Sequence, residues 1–95
     1  MQLEIITPEA KVFLGEADAV QFPGLDGSFQ ILKGHAPIIS ALSAGKVKVD
    51  LTHPFEADEK TSDLIESDSN PKVIRVNIQG GVVEMLNDKI IVLAE

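Results

Sequence analysis

The sequence predicts an all-β protein: a two-sheet sandwich or flattened barrel of about ten short strands, with a long acidic loop near residues 52–72. Three observations carry this. Apolar and polar residues alternate with a period of two in Lys46–Leu51 and again in Val73–Gln79. Turn-forming residues recur at intervals of roughly 8–12 residues, the spacing of short strands in a sandwich. No stretch has the 3.6-residue apolar period of an amphipathic helix.

Leu3–Ile6 reads as a first strand. Thr7-Pro8-Glu9 stops it, because proline cannot donate to a sheet ladder and pushes the residue before it toward extended backbone. Lys11–Leu14 is expected to be a second strand, with Gly15 marking a bend or bulge. Ala17–Phe22 follows as a third, its Val20 and Phe22 facing inward. Pro23-Gly24 and Asp26-Gly27 are turn signals: proline presets φ, glycine permits φ above zero, and aspartate bonds its own backbone. Ser28–Leu32 returns as a strand with Phe29 and Ile31 on one face, and Lys33-Gly34-His35-Ala36-Pro37 breaks it again.

Pro37–Leu42 has the apolar content of a strand or a single helical turn and ends at Ser43-Ala44-Gly45. In Lys46–Leu51, Val47, Val49 and Leu51 point in; in Val73–Gln79, Ile74, Val76 and Ile78 do. Gly80-Gly81 permits a corner, and Val82–Leu86 and Lys89–Leu93 form a hairpin joined by Asn87-Asp88, residue types that tolerate positive φ. The expected core is Val20, Phe22, Phe29, Val47, Val49, Ile74, Val76, Ile78, Val92 and Leu93, with Met85 and Leu86 joining it. Apolar residues left over, Phe13, Ile38 and Ile39, are expected to form an exposed contact patch. The proline-bounded, acid-rich stretch from Thr52 to Pro71 reads as a solvated loop, with Phe55 and Leu64-Ile65 as its only apolar docking candidates.

Residues 1–95 fit one domain, long enough to bury about 60% of the unfolded surface without staples. With no Cys, Trp or Tyr, the core must be built from aliphatic residues and four Phe, and disulfides, thiolate metal sites and a cysteine nucleophile are excluded. A formal charge of −7 argues against nucleic acid and anionic lipid, which both demand Lys and Arg. No basic and apolar leader precedes Leu3, and no apolar run approaches the ~20 residues of a membrane span.

His35 is the one group of the central stretch that titrates near neutrality, and Asp18 or Asp26 would have to orient it for general-base chemistry. A Ser-His-Asp reading could recruit Ser28 or Ser40, but neither lies in a Gly-x-Ser-x-Gly elbow. His35 therefore reads better as a turn-bonded side chain facing a partner. No metal-ligand spacing, calcium loop, phosphate loop or Gly-x-Gly-x-x-Gly is present, so no metal or cofactor is expected.

The spacing Pro23-Gly24-x-x-Gly27-x-Phe29-x-Ile31-Leu32-x-Gly34-His35-Ala36-Pro37 resembles the amino-terminal β-sandwich domain of the epsilon subunit of rotary ATP synthases, called delta in mitochondria. The block from Gly80 to Glu95 resembles that family's closing hairpin, and Ile6-Thr7-Pro8-Glu9 with Phe13-x-Gly15-Glu16 its opening strands. The resemblance spans everything except about residues 52–72.

It implies a non-catalytic rotor subunit that binds the foot of the central shaft (the gamma subunit) and rests on the membrane rotor ring of c subunits. As part of the complex, the subunit would lie peripherally at the cytoplasmic face of the inner (plasma) membrane, without insertion into lipid. Carried over by position, Gly24, Leu25, Asp26, Gly27 and Ser28 lie near the ring. Gly34, His35, Ala36 and Pro37 lie near the shaft, Ile38 and Ile39 continue that surface, and Thr7 and Phe13 are further candidates for it. Ser28 stands where many relatives have an acidic residue and Gln30 where they have glycine, so an ion pair at Ser28 is not implied. Family members commonly continue into an inhibitory two-helix hairpin that binds ATP in some bacteria. The chain ends at Glu95, and this polypeptide is expected neither to inhibit by that route nor to bind nucleotide. The alternative from another class is a freestanding sandwich that recognises a peptide or glycan; the scarcity of aromatic residues disfavours the glycan.

Overall fold

A computed structural model describes residues 1–95. It contains nine strands and no helix: β1 (Gln2–Ile6), β2 (Lys11–Gly24), β3 (Gly27–Leu32), β4 (Ile38–Leu42), β5 (Gly45–Leu51), β6 (Ile65–Ser67), β7 (Val73–Ile78), β8 (Gly81–Leu86) and β9 (Lys89–Ala94). The expected all-β sandwich is the observed fold.

The architecture depends on β2, a continuous strand of 14 residues where the sequence pattern suggested two. Its first half pairs antiparallel with β1, and its second half pairs with β5 on one edge and β3 on the other. The path β1–β9–β8–β4 reaches β2 again at the Gly24–Leu42 pair, so this side of the molecule closes into a flattened barrel. The second layer is β3–β2–β5–β7–β6. One strand serves both layers because its register shifts between Ala17 and Ala19, a bulge at Asp18 that re-aims the chain. Ala17, Ala19, Val20 and Phe22 are all buried as a result, where simple alternation placed Ala17 and Ala19 opposite Val20 and Phe22. Gly15, expected to mark a bend, stays in register with Leu3; its missing Cβ instead leaves room for the Phe13 ring, whose Cζ would lie 2.8 Å from that atom.

The core gathers Leu3, Ile5, Val20, Phe22, Ile31, Val47, Val49, Ile74, Val76, Val83, Ile90 and Val92, each fully removed from water. Each such side chain contributes about 1.5–3 kcal/mol of transfer free energy. No polar or charged residue is buried. Alternation in β5 and β7 is as the sequence predicts, Val47 opposite Val76 and Val49 opposite Ile74. The Asn87-Asp88 turn adopts φ of 52° and 63°, both in the left-handed region that a two-residue hairpin of matching twist requires.

Other expectations about burial change as well. Leu93 and Leu86 are 58% and 52% exposed, because they lie on the outer sides of β9 and β8 while Ile90, Val92, Val83 and Met85 fill the inner sides. The 52–72 segment is also not wholly solvated. It forms β6 against β7, and Phe55, Leu64 and Ile65 pack partly buried against the core.

On the outer side of β5, β6 and β7, Lys46 Nζ lies 2.8 Å from Glu66 Oε1, and Arg75 donates to Asp68 Oδ1 at 2.8 Å. The Lys46 hydrogen bond, then the one from Asn77, holds the Glu66 carboxyl below its ordinary 4.5. The Asn70 backbone N–H, then Arg75, holds Asp68 below 3.8. Lowered folded-state values stabilise the fold above the ordinary pKa, and that contribution disappears as pH falls through the folded values. The thermal midpoint is therefore expected to fall on acidification below pH 4.5, and Lys46→Met should flatten the part of the decline owed to Glu66. A midpoint that stays flat below that pH in the parent would contradict this.

Candidate functional site: an apolar outer face

Antiparallel pairing fixes which residues share the outer side of the β1–β9–β8–β4 layer. Leu93 pairs Val82, and Val82 pairs Ala41. In the neighbouring row Ile91 pairs Glu84, and Glu84 pairs Ile39. Directly paired residues project to the same side of a sheet, so these rows form one surface. Ile39 is 74% exposed and Val82 42%, and Leu86 and Leu93 extend the patch. In a chain of net charge −7, this is a contiguous apolar face whose interior carries one charge, Glu84. Such patches on small soluble domains mark interfaces.

The face runs into the β2–β3 turn. Leu25 N donates to Ala41 O at 3.4 Å, and Ser43 fixes the base of the turn by donating from both N and Oγ to Pro23 O at 2.8 and 3.1 Å. The turn is tight: Gly24 pairs Gly27, and Gly27 sits at φ 117°. A Cβ on Gly24 would stand 2.6 Å from Gly27 O and 2.9 Å from the Phe29 ring. Leu25 projects from the tip, 66% exposed, and Asp26 and Ser28 are exposed beside it.

The residues expected at the site fall into three places. Gly24–Ser28 form the turn at one end of β3. Gly34, His35, Ala36 and Pro37 form an exposed bend at the other end, roughly 16 Å away by strand rise. Gly34 takes φ 86°, and His35 closes the bend through its N–H to Leu32 O and an Nδ1 contact of 2.7 Å with Ala36 O. The Asp18 carboxylate accepts instead from Thr52 Oγ1 at 2.9 Å. β4 links turn and bend, and along it Ile39 lies on the outer face while Ile38 packs partly buried against the core. Thr7 and Phe13 lie elsewhere. Thr7 closes the β1–β2 turn with Ala10, and the Phe13 ring packs over Gly15 and against Phe55.

Val82, Leu86, Ile91 and Leu93 were missed as surface residues. For Ile91 and Leu93 the one signal was the lack of any polar residue in Ile90–Ala94, an excess of apolar side chains that a single inner face cannot take up. The chain holds no group of three or more His, Asp or Glu placed to bind a metal, and no helix is long and apolar enough to cross a membrane.

Comparison with known proteins adds four findings. The family described as ATP synthase, Delta/Epsilon chain, beta-sandwich domain matches residues 1–57. The chain is 39% identical over 94 residues to the ATP synthase epsilon chain of Chlorobium limicola, covering 99% of itself and 88% of that protein. It is 38% identical over 93 residues to the ATP synthase epsilon chain of Chlorobaculum tepidum, covering 98% of itself and 86% of that protein. Among solved structures it superposes, at a TM-score of 0.70 and 14% identity, on a chain from the central stalk/c-ring of the Tetrahymena thermophila mitochondrial ATP synthase. That match covers 99% of this chain and 62% of the other, and shows the shared fold.

Proposed function

The chain belongs to the ATP synthase delta/epsilon family as a non-catalytic rotor subunit, and from that premise we propose that its outer β4–β8–β9 face docks on the central shaft, the gamma subunit. The exposed bend Gly34–Pro37 borders this interface, and the Gly24–Ser28 turn meets the membrane rotor ring of c subunits. The subunit then sits peripherally on the complex, at the cytoplasmic face of the membrane.

One observation carries the reading: the apolar rows Leu93–Val82–Ala41 and Ile91–Glu84–Ile39 are paid for by no intramolecular partner. A subunit that transmits torque must be held rigidly, and a sheet face supplies contacts whose spacing is fixed by backbone pairing. The Leu25 N–H bond to Ala41 O joins the turn to that face, so shaft and ring contacts would sit on one stiff body.

Calorimetric titration with purified gamma subunit tests this. The parent is expected to bind, and Ile39→Asp to lose about 2 kcal/mol or more, since it places a charge in the centre of the dry patch. Leu93→Asp should do the same from the neighbouring strand. Because both residues are exposed, the variants keep the fold, which far-UV circular dichroism verifies. Unchanged affinity in both variants would remove this face from the interface.

A further inference from the structure

At the end of the sandwich away from Leu25, a cavity of about 390 Å³ opens between β2 and the segment that follows β5. Its floor is apolar, formed by Phe13, Leu51, Phe55 and Ile65. The Phe13 and Phe55 rings meet at 6.4 Å, tilted 47°. Several bonds brace the wall. Phe55 N donates to Pro71 O at 2.8 Å, Thr52 Oγ1 to Asp18 Oδ1 at 2.9 Å, and Asp58 N to Thr61 Oγ1 at 2.9 Å. The rim carries Glu16, Glu56 and Asp58, with Lys60 as its one cation and His53 beside it. Glu16 lies 3.5 Å from the Met1 amino group, whereas Glu56, Asp58 and Lys60 form no ion pair.

We infer that this cavity is a second docking site, for a cationic segment of a partner protein that seats one apolar side chain against Phe13 and Phe55. Lysine or arginine beside that anchor meets Glu56 and Asp58. The volume falls at the lower end of known ligand pockets, which run from about 300 to 1,000 Å³, and suits a single aromatic or branched anchor. Charge selects the occupant. The surrounding segment adds Glu59 and Asp63 to the rim carboxylates, and only Lys60 opposes them. Anionic lipid and nucleic acid are repelled, and a second copy of this chain arrives with its own −7. The site is separate from the proposed shaft face, so each can fail without the other.

The test uses two capped pentapeptides, each with a central phenylalanine flanked by lysines in one and glutamates in the other, titrated into isotope-labelled protein. The lysine peptide should shift the amides of Gly15, Phe55 and Thr61 and bind at least about tenfold tighter than the glutamate peptide. Phe55→Ala should weaken it about tenfold, and so should the exposed charge reversal Glu56→Lys, which leaves the core untouched. Ile39→Asp should leave it unchanged. Equal affinity for both peptides, shifts confined to β8 and β9, indifference to Glu56→Lys, or no binding of the lysine peptide at millimolar concentration would each overturn the proposal.

Discussion

Phe22→Ala is expected to lower the unfolding free energy by about 3–5 kcal/mol, the cost of deleting a large buried aromatic ring whose site cannot collapse. Phe22 is the largest fully buried side chain, and it lies on the half of β2 that joins the two layers. Its ring stacks on Phe29 at 5.5 Å and 29°, so truncation also removes an aromatic pair. Domains of this size have about 5–15 kcal/mol in total, so the variant would be marginal at room temperature. Urea unfolding followed by far-UV circular dichroism measures it, since the chain has no Trp or Tyr to report by fluorescence. A loss below about 1 kcal/mol would mean that the ring is not in the closed core the structure describes.

Gly81→Ala should cost about 3 kcal/mol or more, from backbone strain and a collision together. Gly81 sits at φ 145°, and a Cβ there would drive into the Leu93 carbonyl oxygen and come within 3.0 Å of Ala94 Cα. Both contacts are backbone, so no side-chain rotation relieves them. Relief would require β8 and β9 to separate where Val82 and Leu93 form the apolar face, so shaft affinity should fall along with stability. Gly27→Ala is the matched control. Its φ is 117°, yet nothing lies within 4 Å of the added Cβ, which leaves strain alone, about 1–2 kcal/mol. Equal losses at the two positions would show that the collision at Gly81 is relieved without cost.

Strands with one buried face were legible wherever polar residues marked the other face. Lys46, Lys48 and Asp50 declare the orientation of β5, and Arg75 and Asn77 that of β7. The Asn87-Asp88 turn was legible because residues able to enter the left-handed region stand between two apolar runs. The central turn and bend were recognisable for the same reason, through their glycines and prolines. Ile39 was singled out beside Ile38, and only β4's pairing with β8 separates them: Ile38 opposite Met85 on the inside, Ile39 opposite Glu84 on the outside.

Sequence alone determined the all-β class and the turn chemistry, which rest on local backbone preference and short-range alternation, and the family, through the resemblance carried by Pro23–Pro37 and Gly80–Glu95. Tertiary structure decided three things that local pattern does not encode. It made Lys11–Gly24 one strand, since a bulge at Asp18 lets a single backbone pair first with β1 and then with β5 and β3 on opposite edges. It folded Phe55, Leu64 and Ile65 of an acidic stretch onto the core, because burial of a few apolar side chains offsets the ordering of a polar loop. It turned Leu93 and Ile91 outward, since in the uninterrupted run Ile90–Ala94 either face could have been buried, and only the register with β1 and β8 chooses between them.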